Sequence, residues 1–330
     1  MAGMDRKEAK RIDSIDIAKG ITILLMVVGH CHLQPDFKYL YLWIFSFHMP
    51  FFFFLSGFFF KPKSNEKLIK TDLNKLVKPY FLTSILISLF LLCFDSPSAA
   101  SHSLTGALMG CEGNKETMFQ LAGGWGGPIW FLLALFWCRL FYNLLYGICR
   151  RKEFLLSLAV SLIAWQIGDK IINLPLCILV GLTALMFYST GYNFRKIGLE
   201  KIKPWHYIVG ITIWALSVFT ETYLNMSMYI FMRFPLSIIT AVIGTIIILK
   251  CSTYIHGLFA KALSFLGRHT LDILVAHTCA MPRGIILRWF GIHCSNMAMD
   301  LSNLIFTAII SAFIISFKEY KLRTQKNCDL

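Results

Sequence analysis

Apolar runs of roughly membrane-crossing length recur along the whole chain, each closed by a short polar stretch that is often rich in Lys and Arg. A helix needs about 20 mostly apolar residues to cross a bilayer core. The pattern predicts ten such helices, over 18–33, 40–60, 79–95, 128–148, 154–168, 173–191, 206–220, 229–249, 269–288 and 301–317. The expected fold class is therefore all-α, a polytopic membrane protein with about ten transmembrane helices.

The basic residues give the topology. With the N-terminus inside, the inner segments carry 24 of the 32 Lys and Arg and the outer segments carry four, Lys38, Lys115, Lys170 and Arg288. The remainder, Lys19, Arg139, Arg233 and Arg283, fall within spans. Because cytoplasmic loops concentrate Lys and Arg, the count predicts both termini in the cytoplasm, with short basic tails at 1–10 and 318–330. The start, "MAGMDRKEAKR", is polar and basic and no small-residue cleavage site follows the first apolar run, so the first helix is expected to be retained.

Composition agrees. Hydrophobic residues make up 56% of the 330 and charged residues 15%, against about 25% charged in an average soluble domain; mean hydropathy is +0.62. The net charge of +14 does not indicate a nucleic-acid partner, because the cations sit in clusters between apolar runs. The ten cysteines show no CxxC spacing. Most fall in or beside apolar segments, where a thiol acts as a small hydrophobe. Cys111 and Cys294 lie in expected outer loops, and the sequence allows a disulfide between them without fixing it.

Two loops stand out. "KPKSNEKLIKTDLNKLVK", 61–78, sets Leu68, Ile69, Leu73, Leu76 and Val77 at helical spacing among lysines. It reads as an interfacial amphipathic helix: either a topology anchor on anionic lipid, or lysines that also draw in a polyphosphate ligand. Loop 96–127, the longest outer one, ends in "GGWGGPIWF", either a flexible interfacial turn or a re-entrant piece. No internal repeat supports an inverted-repeat transporter.

Ionisable groups inside a membrane span are costly and point to function. Lys19 and His30 are eleven residues apart, so they share one helix face and stand about 16 Å apart along the axis. Asp16 is within reach of Lys19. Lys19 could equally be a snorkelling cation paired with Asp16. His48, in "FSFHMPFFFFLSGFFF", sits about 12 Å below the outer end of helix two, at the depth of His30. Pro50 is expected to kink that helix, while Ser56 and Gly57 permit close helix approach. His48 alone is as well explained as a satisfied core histidine. Arg139 and His277 are also mid-span; Arg283 lies in the outer half of helix nine; Glu221 and Arg233 flank an outer loop and are expected to pair. No His/Glu spacing resembles a metal site.

The segments "RIDSIDIAKGITILLMVVGH", "FSFHMPFFFFLSGFFF", "KLVKPYF", "GPIWFLLALF", "FYSTGYNFRK" and "LSFLGRHTLDILVAHT", in this order, resemble the membrane acyltransferases of acyltransferase family 3, including relatives of fucose 4-O-acetylase, over 11–317. The resemblance implies ten membrane helices and transfer of an acyl group, commonly acetyl, from cytoplasmic acyl-CoA to a hydroxyl of a cell-surface or lipid-linked glycan. It implies His30 as essential histidine, Lys19 as its basic partner, and a second block of His48, Ser56 and Gly57. Asp16 would orient Lys19 or a second donor. Lys61, Lys67, Lys75, Lys78, Ser56, Trp130, Arg139, Arg268 and His277 fall to acyl-CoA or acceptor binding. No cofactor is expected beyond acetyl-CoA as co-substrate, and no metal. The expected surroundings are a multi-pass site in the inner (plasma) membrane; a homo-oligomer is compatible with the sequence. Many relatives end in a soluble esterase-like domain, for which 318–330 leaves no room. His30 as general base, with a donor such as His48 at the oxyanion, is the expected chemistry; direct transfer and an acyl-histidine intermediate are both open. The competing readings are a transporter or flippase of a lipid-linked sugar, and a structural membrane protein.

Overall fold

The computed structural model describes residues 2–31, 37–110, 127–292 and 295–328, and side chains over those ranges except 2–12, 322–323 and 326–328. These residues form α1 (Ala2–Gly29), α2 (Lys38–Phe45), α3 (His48–Phe58), α4 (Asn65–Asp72), α5 (Lys78–Phe94), α6 (Pro97–Met109), α7 (Trp130–Ile148) and α8 (Glu153–Lys170). There follow α9 (Ile178–Thr183), α10 (Leu185–Ile197), α11 (Pro204–Ser217), α12 (Leu236–Ser252), α13 (Gly257–Arg268), α14 (Thr270–Ala280), α15 (Arg283–Trp289) and α16 (Asn296–Cys328). Between α11 and α12, β1 (Leu224–Asn225) pairs antiparallel with β2 (Ile230–Phe231), Leu224 opposite Phe231. The all-α class holds, with this hairpin as the one ladder among the described residues.

Among the described residues, four helical stretches are long and apolar enough to cross a membrane: Lys38–Phe58, Asn65–Phe94, Gly127–Ile148 and Asn296–Lys321. The bent pairs Pro175–Thr183 with Leu185–Ile197, at 45°, and Thr270–Ala280 with Arg283–Trp289, at 42°, raise this to six. The other expected spans coincide with helices that are short or carry charges: α11 has 14 residues and α12 has 17, and α1 holds Asp13, Asp16 and Lys19. The architecture is that of a multi-pass membrane protein, with fewer unambiguous spans than the ten expected.

Local sequence explains the breaks. The second expected span parts at Ser46–Phe47, and Pro50 becomes the third residue of α3, where a missing N–H costs nothing because first-turn donors have no helical partner. The break starts α3 at His48. The stretch 61–78 is not a separate interfacial helix: α4 runs through a π-helical turn, Leu73–Val77, into α5 as one 30-residue stretch. Its Leu68 and Leu76 are buried in the protein. The expected outer loop 96–127 begins with a helix, α6, whose first turn is capped by the Ser96 hydroxyl accepting from Ala99 N. Residues 111–126 and the Cys111–Cys294 pairing lie outside the described residues. Glu221 pairs with Lys38 at 2.5 Å rather than with Arg233, whose Nε donates to the Thr220 carbonyl.

Two reciprocal glycine contacts hold the bundle around the site. A Cβ on Gly57 would stand 1.9 Å from the Tyr188 carbonyl oxygen, and one on Gly191 1.9 Å from that of Phe54, so α3 and α10 meet backbone to backbone. Likewise Gly20 faces Leu263 and Gly267 faces Asp16 across α1 and α13, at 2.0 and 1.7 Å. Small residues are what permit such approach between membrane helices. The second pair fixes the turn of α1 that bears Asp16 and Lys19.

Candidate active site

α1 carries the axis of the site. Its Lys19 Nζ donates to Asp16 Oδ1 at 2.7 Å, on the same face one turn earlier. Lys19 lines a cavity of about 420 Å³ together with Lys61, Lys63, Arg139 and Ser56. Its deeper wall is apolar, with Ile23, Met26 and Leu274. Arg139, midway along α7, donates through Nε to Asp72 Oδ2 at 2.7 Å, and that carboxylate is buried. Two of the four cations are thus held by acids while Lys61 and Lys63 have no carboxylate partner among the described residues. The cavity combines cationic and apolar walls, and a long amphiphilic anion is the ligand such walls suit.

A second cavity, of about 280 Å³, lies at the C-terminal end of α1, about three turns beyond Lys19. His30, His48, Trp130, Tyr41, Asn225 and Ser227 line it. The hairpin that brings Asn225 and Ser227 is pinned to α8 by Trp165 Nε1, which donates to the Tyr229 carbonyl at 2.9 Å. Met49 lines both cavities and is the single lining residue they share. This side chain stands where the two cavities adjoin, and methionine is among the most adaptable of apolar side chains.

The three histidines are in different states of commitment. His48 Nδ1 lies 2.9 Å from the Ile44 carbonyl oxygen. A carbonyl only accepts, so Nδ1 carries the proton and the neutral ring presents a bare Nε2. His48 is therefore an acceptor, not the oxyanion donor expected from the sequence, unless it is doubly protonated. His277 is fully buried beside His30, ring centroids 5.5 Å apart, with Nδ1 3.3 Å from Thr307 Oγ1 and no partner at Nε2. The His30 imidazole has no hydrogen-bond partner among the described residues, and the residue's backbone N–H donates to the Val27 carbonyl. It packs edge-on to Phe45, which in turn meets His48. His30 is the histidine with both nitrogens uncommitted, at the cavity surface.

The structure brings Lys19, Lys61, Ser56 and Arg139 to the first cavity, with Asp16 outside it and bound to Lys19, and His30, His48 and Trp130 to the second, with His277 behind His30. Lys67, Lys75 and Lys78 line neither. Arg268 donates to Ser264 Oγ at 2.7 Å and lines a third, separate cleft. Sequence reading missed Asp72, Lys63, Met49 and the hairpin residues; Asp72 was findable as an acid isolated among the lysines of "KTDLNK". Arg283 ties α15 to α16 through Met299 O and Ser302 Oγ. Among the described residues no three His, Cys, Asp or Glu side chains converge as metal ligands would.

A family model for an acyltransferase domain, that of acyltransferase family 3, matches residues 12–317. The chain belongs to this family. No curated protein and no solved structure matches it. In this acyltransferase the matched region holds every residue of both cavities, so the cation-lined end and the histidine-lined end are parts of one acyl-transfer domain.

Proposed function

We propose that this acyltransferase takes an acetyl group from cytoplasmic acetyl-CoA and passes it to a hydroxyl of a cell-surface or lipid-linked glycan. The observation that carries the reading is the pair of cavities meeting at Met49, one with Lys19, Lys61, Lys63 and Arg139, the other with His30 uncommitted. The excess of Lys and Arg at the Lys19 end orients that end to the cytoplasm.

The CoA phosphates lie against the cations of the first cavity, where charge-assisted hydrogen bonds are strongest. Asp16 holds Lys19 in place, and Asp72 does the same for Arg139. The pantetheine arm runs along Ile23 and Met26 and covers the roughly 16 Å between Lys19 and His30. His30 takes the proton of the acceptor hydroxyl as its oxygen attacks the thioester carbonyl. The carbon–sulfur bond breaks as the ester forms, and the protonated His30 hands the same proton to the departing CoA thiolate, which restores the neutral base as CoA withdraws towards the first cavity. Trp130 and Asn225 supply the N–H groups of the second cavity, and one of them stabilises the oxyanion. His277 backs the His30 ring and positions it.

The test supplies acetyl-CoA labelled in the acetyl group to membranes containing the chain and to membranes without it. Label appearing in a glycan or lipid-linked saccharide only in the first supports the reading. Absence of any acetyl-CoA consumption across a panel of envelope glycans contradicts it.

A further inference from the structure

A third cavity among the described residues is larger than either of those two. A cleft of about 1260 Å³ opens at the Lys19 end on the far side of α1, walled by the ends of α3, α10, α12 and α13. It shares a single lining residue, Leu55, with the Lys19 cavity. Its α1 wall is Asp13, Ser14, Ile15 and Ile17, of which Asp13, Ser14 and Ile17 are turned by more than about 100° from Lys19 around the helix. Small-molecule sites usually occupy about 300–1,000 Å³, so the cleft is large for one.

Its lining has two parts. The floor is apolar, with Phe58, Phe194 and Leu249 all buried. On the first turn of α13, beside the lining residues Gly257 and Ala260, Leu258 is 84% and Phe259 70% exposed. Around this stand Arg195, Lys201, Lys250, Lys261 and Arg268, against two carboxylates, Asp13 and Glu200. None of the five cations forms an ion pair among the described residues. Arg195 donates to the Phe60 carbonyl, Arg268 to Ser264 Oγ, and Lys250 sits over the Tyr207 and Tyr254 rings.

Helix dipoles explain part of this. Arg195, Lys250 and Arg268 fall in the last turns of α10, α12 and α13, where a cation offsets the negative helix end. That account does not reach Lys261, five residues into α13, nor Lys201 in the connector after α10. These two add positive charge where no α-helix end asks for it, above an apolar floor.

We infer that this cleft binds an anionic glycerophospholipid of the adjoining leaflet, its phosphate held by Lys201, Lys250 and Lys261 and its chains laid on Phe58, Phe194 and Leu249. Basic pockets between membrane helices recognise such headgroups, with each cation near the surface contributing about five-fold in affinity. A soluble nucleotide would leave the apolar floor and the Leu258–Phe259 edge unused. The inference needs only that the protein sits in a membrane, so it stands or falls apart from acyl transfer.

The experiment equilibrates the full chain with vesicles of phosphatidylcholine containing rising fractions of phosphatidylglycerol, extracts it gently, and counts retained lipids by native mass spectrometry. Retention of phosphatidylglycerol above its share in the vesicle is expected. Lys201→Gln and Lys261→Gln each lower that preference about five-fold, and the double variant about 25-fold. Lys152→Gln, an exposed lysine elsewhere, leaves it unchanged. Equal retention of the two lipids overturns the proposal, as does an unchanged preference in the double variant. Displacement by glycerol phosphate alone would make this a free-phosphate site, and displacement by CoA would make it part of the donor path; either result also overturns it.

Discussion

The two ends of α1 are built on opposite electrostatic plans. At the Lys19 end, cations are plentiful and two are fixed by acids, Lys19 by Asp16 and Arg139 by Asp72. At the His30 end the titratable groups of the cavity are the imidazoles of His30 and His48, with the Cys31 thiol and the Tyr41 phenol beside them. Neither imidazole forms an ion pair among the described residues. A fixed cation suits an anion that must be held through a turnover. A neutral imidazole with a free nitrogen suits a proton that must move. Held charge and mobile proton are separated by Met49, so binding and chemistry should respond to different substitutions.

The largest effect on the binding side is expected from Lys19→Ala. It removes a charge-assisted contact worth roughly 1.5–3 kcal/mol, raising KM for acetyl-CoA about 10- to 100-fold while kcat changes little. A fall in kcat with KM unchanged would erase the distinction between the ends. Met49→Ala opens the partition. Acetyl-CoA hydrolysis without acceptor should rise about ten-fold, because water reaches the thioester once the dry barrier is lost; Met49→Trp should slow transfer without weakening acetyl-CoA binding. Unchanged hydrolysis and transfer in both variants would show that the cavities do not communicate there.

Lys63→Gln should act as a milder Lys19→Ala. An unpaired cation at the cavity mouth contributes about five-fold to KM at low salt, shrinking above 0.15 M ionic strength as screening sets in. The smallest effect belongs to Glu221→Gln, outside both cavities. The Lys38 hydrogen bond and charge hold the Glu221 carboxyl below its usual range. The Glu221 contribution to stability is present above its unfolded pKa and lost as pH falls through the lowered folded value. Across neutral pH the melting temperature of Glu221→Gln should follow the wild type, since both groups are exposed and solvent screens the pair.

How much of this was legible depended on distance along the chain. Asp16 and Lys19 are three residues apart and their pairing follows from helix geometry. The break before His48 follows from Pro50, and Gly57 announced the close approach that α10 supplies. Arg139 and Asp72 are 67 residues apart, and no local rule joins them. α13 was hidden because its basic residues made 250–268 count as loop in the charge tally. Its apolar face, turned to α1, reads as a helix only once Gly20 and Gly267 are seen to interlock. His48 shows the same limit from the other side: its depth was predictable, its proton was not, because that depends on the Ile44 carbonyl.

The most direct test of the central claim measures acetyl-CoA binding and acetyl transfer side by side in the wild type and His30→Ala. Binding should stay within two-fold, because the cations are at the far end of α1. Transfer should fall by about 10²–10⁴, the usual contribution of a general base. Transfer at the wild-type rate in His30→Ala would contradict the assignment of His30 as the base. Loss of binding together with transfer would contradict the division of labour between the two ends.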